Sequence, residues 1–189
     1  MQNESCLYVC TCKMQAKLRI EFISTMENDR KRTHEWTNPL EMAAKAKTMS
    51  GFDFLNGILK GDIPPAPIAE TLDFYPLSLE KGKAVFEFEP KEFHYNPIGS
   101  VHGGVITTVL DTVMGCSLQS YLPQGVAYTT LELKVNFLKA VTINDGKMKS
   151  TGKIIHLGKT TALVEADLKD EAGKVYAHGV STCMIFNIK

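Results

Sequence analysis

Val101-His102-Gly103-Gly104-Val105-Ile106-Thr107-Thr108-Val109-Leu110-Asp111-Thr112-Val113-Met114-Gly115-Cys116-Ser117-Leu118-Gln119-Ser120-Tyr121 is the stretch that decides the fold. Val105, Ile106, Val109, Leu110, Val113, Met114, Leu118 and Tyr121 recur at helical spacing, so residues 101–121 are expected to form one helix. Its other faces hold Thr, Gly, Cys and Ser instead of charge. Asp111 is the only Asp, Glu, Lys or Arg between Val101 and Leu122. A helix without a solvated face is expected to lie enclosed by other structure.

The flanks supply strands to enclose it. Thr71–Leu77 reads as a first strand, Glu80–Lys83 as a turn, and Ala84–Glu89 as a strand alternating apolar and acidic residues. A loop over 90–100 carries His94, Tyr95, Asn96, Pro97 and Gly99. Beyond the helix, four strand-like runs cover 127–138, 147–156, 160–169 and 174–186. Asn144-Asp145-Gly146, Leu157-Gly158-Lys159 and Asp170-Glu171-Ala172-Gly173 separate them as turns. Successive short connections predict an antiparallel meander. Strands, one buried helix and more strands, without βαβ alternation, give an α+β class.

Upstream the pattern changes. Residues 1–37 are expected to be a flexible tail, with the polar run Asn28–Glu35 lacking any period. Met26 begins a plausible translation start, so the first 25 residues read as an upstream extension. Residues 38–67 read as a helical extension. Asn38-Pro39-Leu40-Glu41 opens a helix that runs to about Met49, and Ser50-Gly51 breaks it. A second amphipathic piece carries Phe52, Phe54, Leu55, Ile58 and Leu59 and stops at Gly61, before the extended Pro64-Pro65-Ala66-Pro67 link. This pair either covers part of the core or forms a lid over an apolar channel. The folded domain then occupies 68–189.

With 189 residues the chain holds about one domain, long enough to bury a core. Its 21 basic and 21 acidic side chains balance, which argues against binding nucleic acid or an anionic membrane through overall charge. No apolar run is long enough for a transmembrane helix. The five cysteines show no disulfide spacing and the start shows no secretory pattern, so a cytoplasmic location is expected. Cys6, Cys10 and Cys12 could hold a soft metal, but no second ligand pair follows. His34, His94, His156 and His178 have no metal-ligand spacing either. No metal and no cofactor is expected.

The chemistry concentrates around the helix. Asn96, His102, Gly103 and Gly104 stand at its start, where free amides and the positive end of the dipole suit a developing oxyanion. The alternative is loop geometry alone, with Gly for turning and Asn for capping. Asp111 in mid-helix is costly unless paired or used. His102 and Asp111 are nine residues apart, which puts them on opposite faces and about 13 Å apart along the axis. They can share a site only if a second copy brings its Asp111 to the first copy's helix start.

The run Asn96…His102-Gly103-Gly104…Asp111 closely resembles the signature of hotdog-fold acyl-CoA thioesterases, in the branch with the phenylacetate-pathway thioesterase. The resemblance continues through Thr130–Leu138, Gly158-Lys159-Thr160 and Asp170–Val175, and spans residues 68–187. It implies a long helix wrapped by a curved antiparallel sheet, paired into a homodimer or a dimer of dimers with shared sites. It further implies that the Gly103 amide and Asn96 polarise the thioester carbonyl, and that Asp111 of the partner subunit acts as general base or nucleophile. Thr130 would orient the attacking water, with Thr129 as the fallback, and His102 would shape the site. Gly104 would line it, and Lys134, Lys139 and Lys159 are candidates for the coenzyme A phosphates, each also readable as a solvated lysine. The alternative reading is a non-catalytic acyl-CoA-binding or sensing module on the same fold. A hydratase acting on enoyl-CoA would pair an Asp and a His in one loop, which this chain lacks. The long N-terminal region departs from compact members and bears on substrate size. No Ser-His-Asp spacing or nucleophile elbow is present, and Cys116 reads as packing.

Overall fold

The computed structural model describes residues 30–188. Cys6, Cys10, Cys12, Met26 and most of the expected tail lie outside the described residues. The chain divides into a first unit ending at His34 and a second, Glu35–Lys189, which carries every described helix and strand.

Three helices precede the sheet. In α1, Pro39–Ala46, the Asn38 side chain accepts from the Leu40 amide at 3.0 Å and Pro39 takes the first turn, where its missing N–H costs nothing. Ser50 caps α2, Gly51–Lys60, and Gly61 ends it at φ 82°. A third helix, α3, Pro67–Leu72, was not expected. Pro67 starts it, and Asp73 ends it in the left-handed region at φ 49°, tied to Lys91 at 3.1 Å. The first strand therefore begins at Phe74, and Thr71 and Leu72 are helical.

β1, Phe74–Glu80, and β2, Lys83–Phe88, form a hairpin. The central helix α4, Gly103–Gln119, follows, shorter at both ends than expected because His102 caps it and Ser120 closes it. β3, Val126–Phe137, β4, Met148–Leu157, β5, Thr161–Asp170, and β6, Val175–Asn187, complete one antiparallel sheet in the order β1-β2-β4-β5-β6-β3. β4, β5 and β6 meander as expected, but β3 does not pair with β4. The connection over 138–147 is too long for a tight hairpin, so β3 crosses to the far edge against β6.

All six strands contact α4, so the sheet curves around it, in the hotdog arrangement. Val109, Leu110, Val113, Met114 and Leu118 are fully buried against Phe74, Phe88, Met148 and Leu168. Each such side chain contributes about 1.5–3 kcal/mol by leaving water. The fit is close. A Cβ at Gly152 of β4 would stand 2.6 Å from Ser117 Oγ and 2.8 Å from the Val113 carbonyl. Ser117 accepts from the Ala84 amide at 3.2 Å, and Ser120 accepts from the Gly82 amide at 2.8 Å. These bonds fix the helix to the first hairpin.

Candidate active site

The start of α4 is held by two loops. Asn96 Oδ1 accepts from the amides of Ile98 at 3.0 Å and Ser100 at 3.3 Å, and Nδ2 donates to Ser100 Oγ at 3.1 Å. The side chain thus shapes its own loop, and Nδ2 keeps a second N–H. The His102 amide donates to the carbonyl of buried His94, and the Val101 amide to Val141 in the 138–147 connection. His102 Nδ1 accepts from the Gly104 amide at 2.9 Å, which leaves the neutral ring's proton on exposed Nε2. Gly103 occupies the first helical position, where the amide has no intrahelical acceptor by geometry. An open cleft of about 360 Å³ reaches this point, lined by Ser100, Gly103, Ile106, Phe137 and Lys139. The Phe137 ring lies against Gly103, and a Cβ there would come within 3.1 Å of it.

Asp111 lies two turns further along. It is half-exposed in the protomer, contrary to the enclosed helix expected, and Gly104 and Thr108 on the same side of α4 are open to solvent as well. Thr130 Oγ1 donates to Asp111 Oδ1 at 3.1 Å, so Thr130 and not the fallback Thr129 meets the carboxylate.

A bulge makes this pairing possible. Thr130 stands opposite Cys183 but Glu132 opposite Thr182, so Leu131 is the extra residue. Before the bulge Tyr128 and Thr130 face the helix, and after it Leu133 and Val135 do. Leu131 is turned outward, 58% exposed.

Sequence reasoning missed Tyr128, Phe137 and Cys183. The Tyr128 hydroxyl occupies the space that a side chain at Gly115 would fill. Its two-residue spacing from Thr130 was the available signal. Burial, and after it the Asp111 charge, push the Cys116 thiol up to about 12, which keeps it protonated and unsuited to attack. Burial likewise raises the Tyr128 hydroxyl and the Cys183 thiol, with Asp111 adding to both.

The expected phosphate partners are dispersed. Lys134 is exposed on β3 and Lys159 is exposed between β4 and β5. Lys139 reaches Asp145 at 3.2 Å and bonds the Tyr176 hydroxyl. Among the described residues no cluster of His, Cys, Asp and Glu could hold a metal ion, and no helix is long and apolar enough to cross a membrane.

Two half-sites therefore stand on one chain, the amide-rich start of α4 and the Asp111–Thr130 pair. A family model described as the thioesterase superfamily matches residues 98–177, which contain both. A 1,4-dihydroxy-2-naphthoyl-CoA hydrolase of Listeria monocytogenes is 30% identical over 118 residues, covering 62% of this chain and 93% of that protein. The chain belongs to the thioesterase superfamily. Solved structures share its fold. The Escherichia coli PaaI protein of the phenylacetic acid degradation operon superposes with a TM-score of 0.63 at 20% identity, covering 74% of this chain and all of that one. The Streptococcus mutans protein smu.793, solved bound to acetyl CoA, gives a TM-score of 0.56 at 26% identity, covering 61% and 90%. Thioester hydrolysis is the chemistry this superfamily membership supports.

Proposed function

We propose that the protein hydrolyses acyl-CoA thioesters to the free acid and coenzyme A. The observation that carries this reading is the hydrogen bond from Thr130 to Asp111, which aims a carboxylate and a hydroxyl at one point beside the central helix. In the proposed site the Gly103 amide and the spare Asn96 N–H of one subunit polarise the carbonyl. Preorganised donors at a developing oxyanion are worth about 3–4 kcal/mol each in favourable cases. Asp111 of the second subunit takes a proton from water or attacks directly, and Thr130 orients the water. His102 shapes the site by fixing the Gly104 amide and presenting Nε2–H. Lys134 and Lys159 are free to meet the coenzyme A phosphates, and Lys139 would have to exchange partners to join them.

The second subunit is part of the reading because Gly103 and Asp111 stand about 12 Å apart along the axis of one helix. β3 supports it. It is a 12-residue edge strand, with Leu131 and Phe137 more than half exposed, and an open edge of that length invites pairing with another copy. The test is thiol release from a panel of acyl-CoAs, with Asp111→Asn and Asp111→Ala beside the unaltered protein. Release that drops by about 10²–10⁴-fold in both variants supports the mechanism. Release unaffected by either substitution removes Asp111 from it, and tight acyl-CoA binding with no release from any substrate favours a sensing module.

A further inference from the structure

We infer that Ser181 is a positioning residue for the reaction, one that pins the β3 bulge and so keeps Thr130 turned toward Asp111; the inference rests on the acyl-CoA reading. Ser181 lies in the middle of β6, 1% exposed, opposite Leu133 on β3 and Val164 on β5. Packing between two apolar neighbours would be served by Ala or Val. A buried hydroxyl costs free energy unless it is hydrogen-bonded, so its partners carry the information. Ser181 Oγ donates to the Glu132 carbonyl at 2.9 Å. Glu132 directly follows Leu131, where the register between β3 and β6 shifts. A bulge disrupts the strand ladder locally, and this side-chain bond joins the two strands at that point.

A second contact ties this bond to Thr130. The Ser181 hydroxyl has one proton, so toward Cys183 Sγ at 3.6 Å it can only accept. Burial raises the Cys183 thiol, which therefore keeps its proton to donate. Cys183 stands directly opposite Thr130 across the strand pair. Ser181 thus holds the residue after the extra one, Cys183 faces the residue before it, and the two touch each other. Side chains alternate along a strand, so a strand continuing without the extra residue would turn either Thr130 or Leu133 and Val135 to the other face. Thr130 reaches Asp111 while Leu133 and Val135 stay on the core because the bulge sits where Ser181 and Cys183 straddle it.

The experiment uses Ser181→Ala in the full chain, which removes only the hydroxyl. On the acyl-CoA that the unaltered protein turns over best, it should lower kcat by about fivefold with KM little changed. A double-mutant cycle separates positioning from general packing. In the Thr130→Val background Ser181→Ala should lower kcat no further, because the group it positions is gone. Amide hydrogen exchange of the free protein reads the bulge without turnover. Exchange over 130–133 should quicken by about fivefold in Ser181→Ala, with little change elsewhere in the sheet. Multiplying losses of kcat in the double variant would overturn the inference, as would a loss carried by KM alone. So would exchange that is unchanged at the bulge, or raised evenly across the sheet. Absence of turnover in the unaltered protein would instead count against the acyl-CoA reading, and the exchange measurement would still decide whether Ser181 pins the bulge.

Discussion

Thr130 and Gly115 are the residues where function and packing meet. The Thr130 hydroxyl is the donor that holds Asp111, so Thr130→Val, which keeps shape and removes the donor, should lower kcat by about 10-fold or more with little change in KM. Steady-state kinetics on acyl-CoA check this, and a change confined to KM would place Thr130 in binding only. Gly115 lies under Tyr128. Gly115→Ala should cost about 1–3 kcal/mol, because the new methyl meets the Tyr128 hydroxyl. Pairing it with Tyr128→Phe should recover part of the loss in thermal denaturation, whereas additive losses would mean that the two side chains do not clash. Asp111 was legible from sequence as the single charge of its helix. Its open flank was not, because exposure depends on contacts between segments far apart in the chain.

Among the elements, the 138–147 connection does the most to position the site, since it holds the start of α4 through Val141 and carries β3 to the far edge. Asp145 anchors it, accepting from the Tyr176 hydroxyl at 2.6 Å, the Thr142 amide at 2.7 Å and Lys139 at 3.2 Å. Burial opposes its charge, but the hydrogen bonds from Tyr176, Thr142 and Lys139 outweigh it and hold the carboxyl at about 2. The folded value is below the unfolded one, so the contribution is present above the ordinary carboxylate range and lost as pH falls toward 2. Asp145→Asn should therefore lower Tm by roughly 3–6 °C at neutral pH. The gap should narrow between about pH 4 and pH 2, as calorimetry across that range would show. A gap independent of pH would mean that charge is not what anchors the loop. From sequence, Asn144-Asp145-Gly146 was legible as a turn. That it lies inside a crossover was not, because turn chemistry reports the local chain and not the partner of the strand that follows.

For the whole molecule, the separation of the two half-sites along α4 sets the expectation. If sites are shared as proposed, mixed dimers of Asn96→Ala and Asp111→Ala subunits would carry one intact site and one doubly altered site. An equal mixture should regain activity at roughly a quarter of all sites if pairing is random. Thiol release after verified subunit exchange checks it, and no recovery would mean that each chain works alone. Periodicity, turn residues and the lone Asp111 determined the α+β class, the central helix, most strands and the motif around His102-Gly103-Gly104, because each is written in neighbouring residues. Only the tertiary structure decided that β3 crosses to the far edge and that the bulge at Leu131 turns Thr130 toward Asp111. Those features arise between segments far apart in the chain, where register, and not local propensity, sets the outcome.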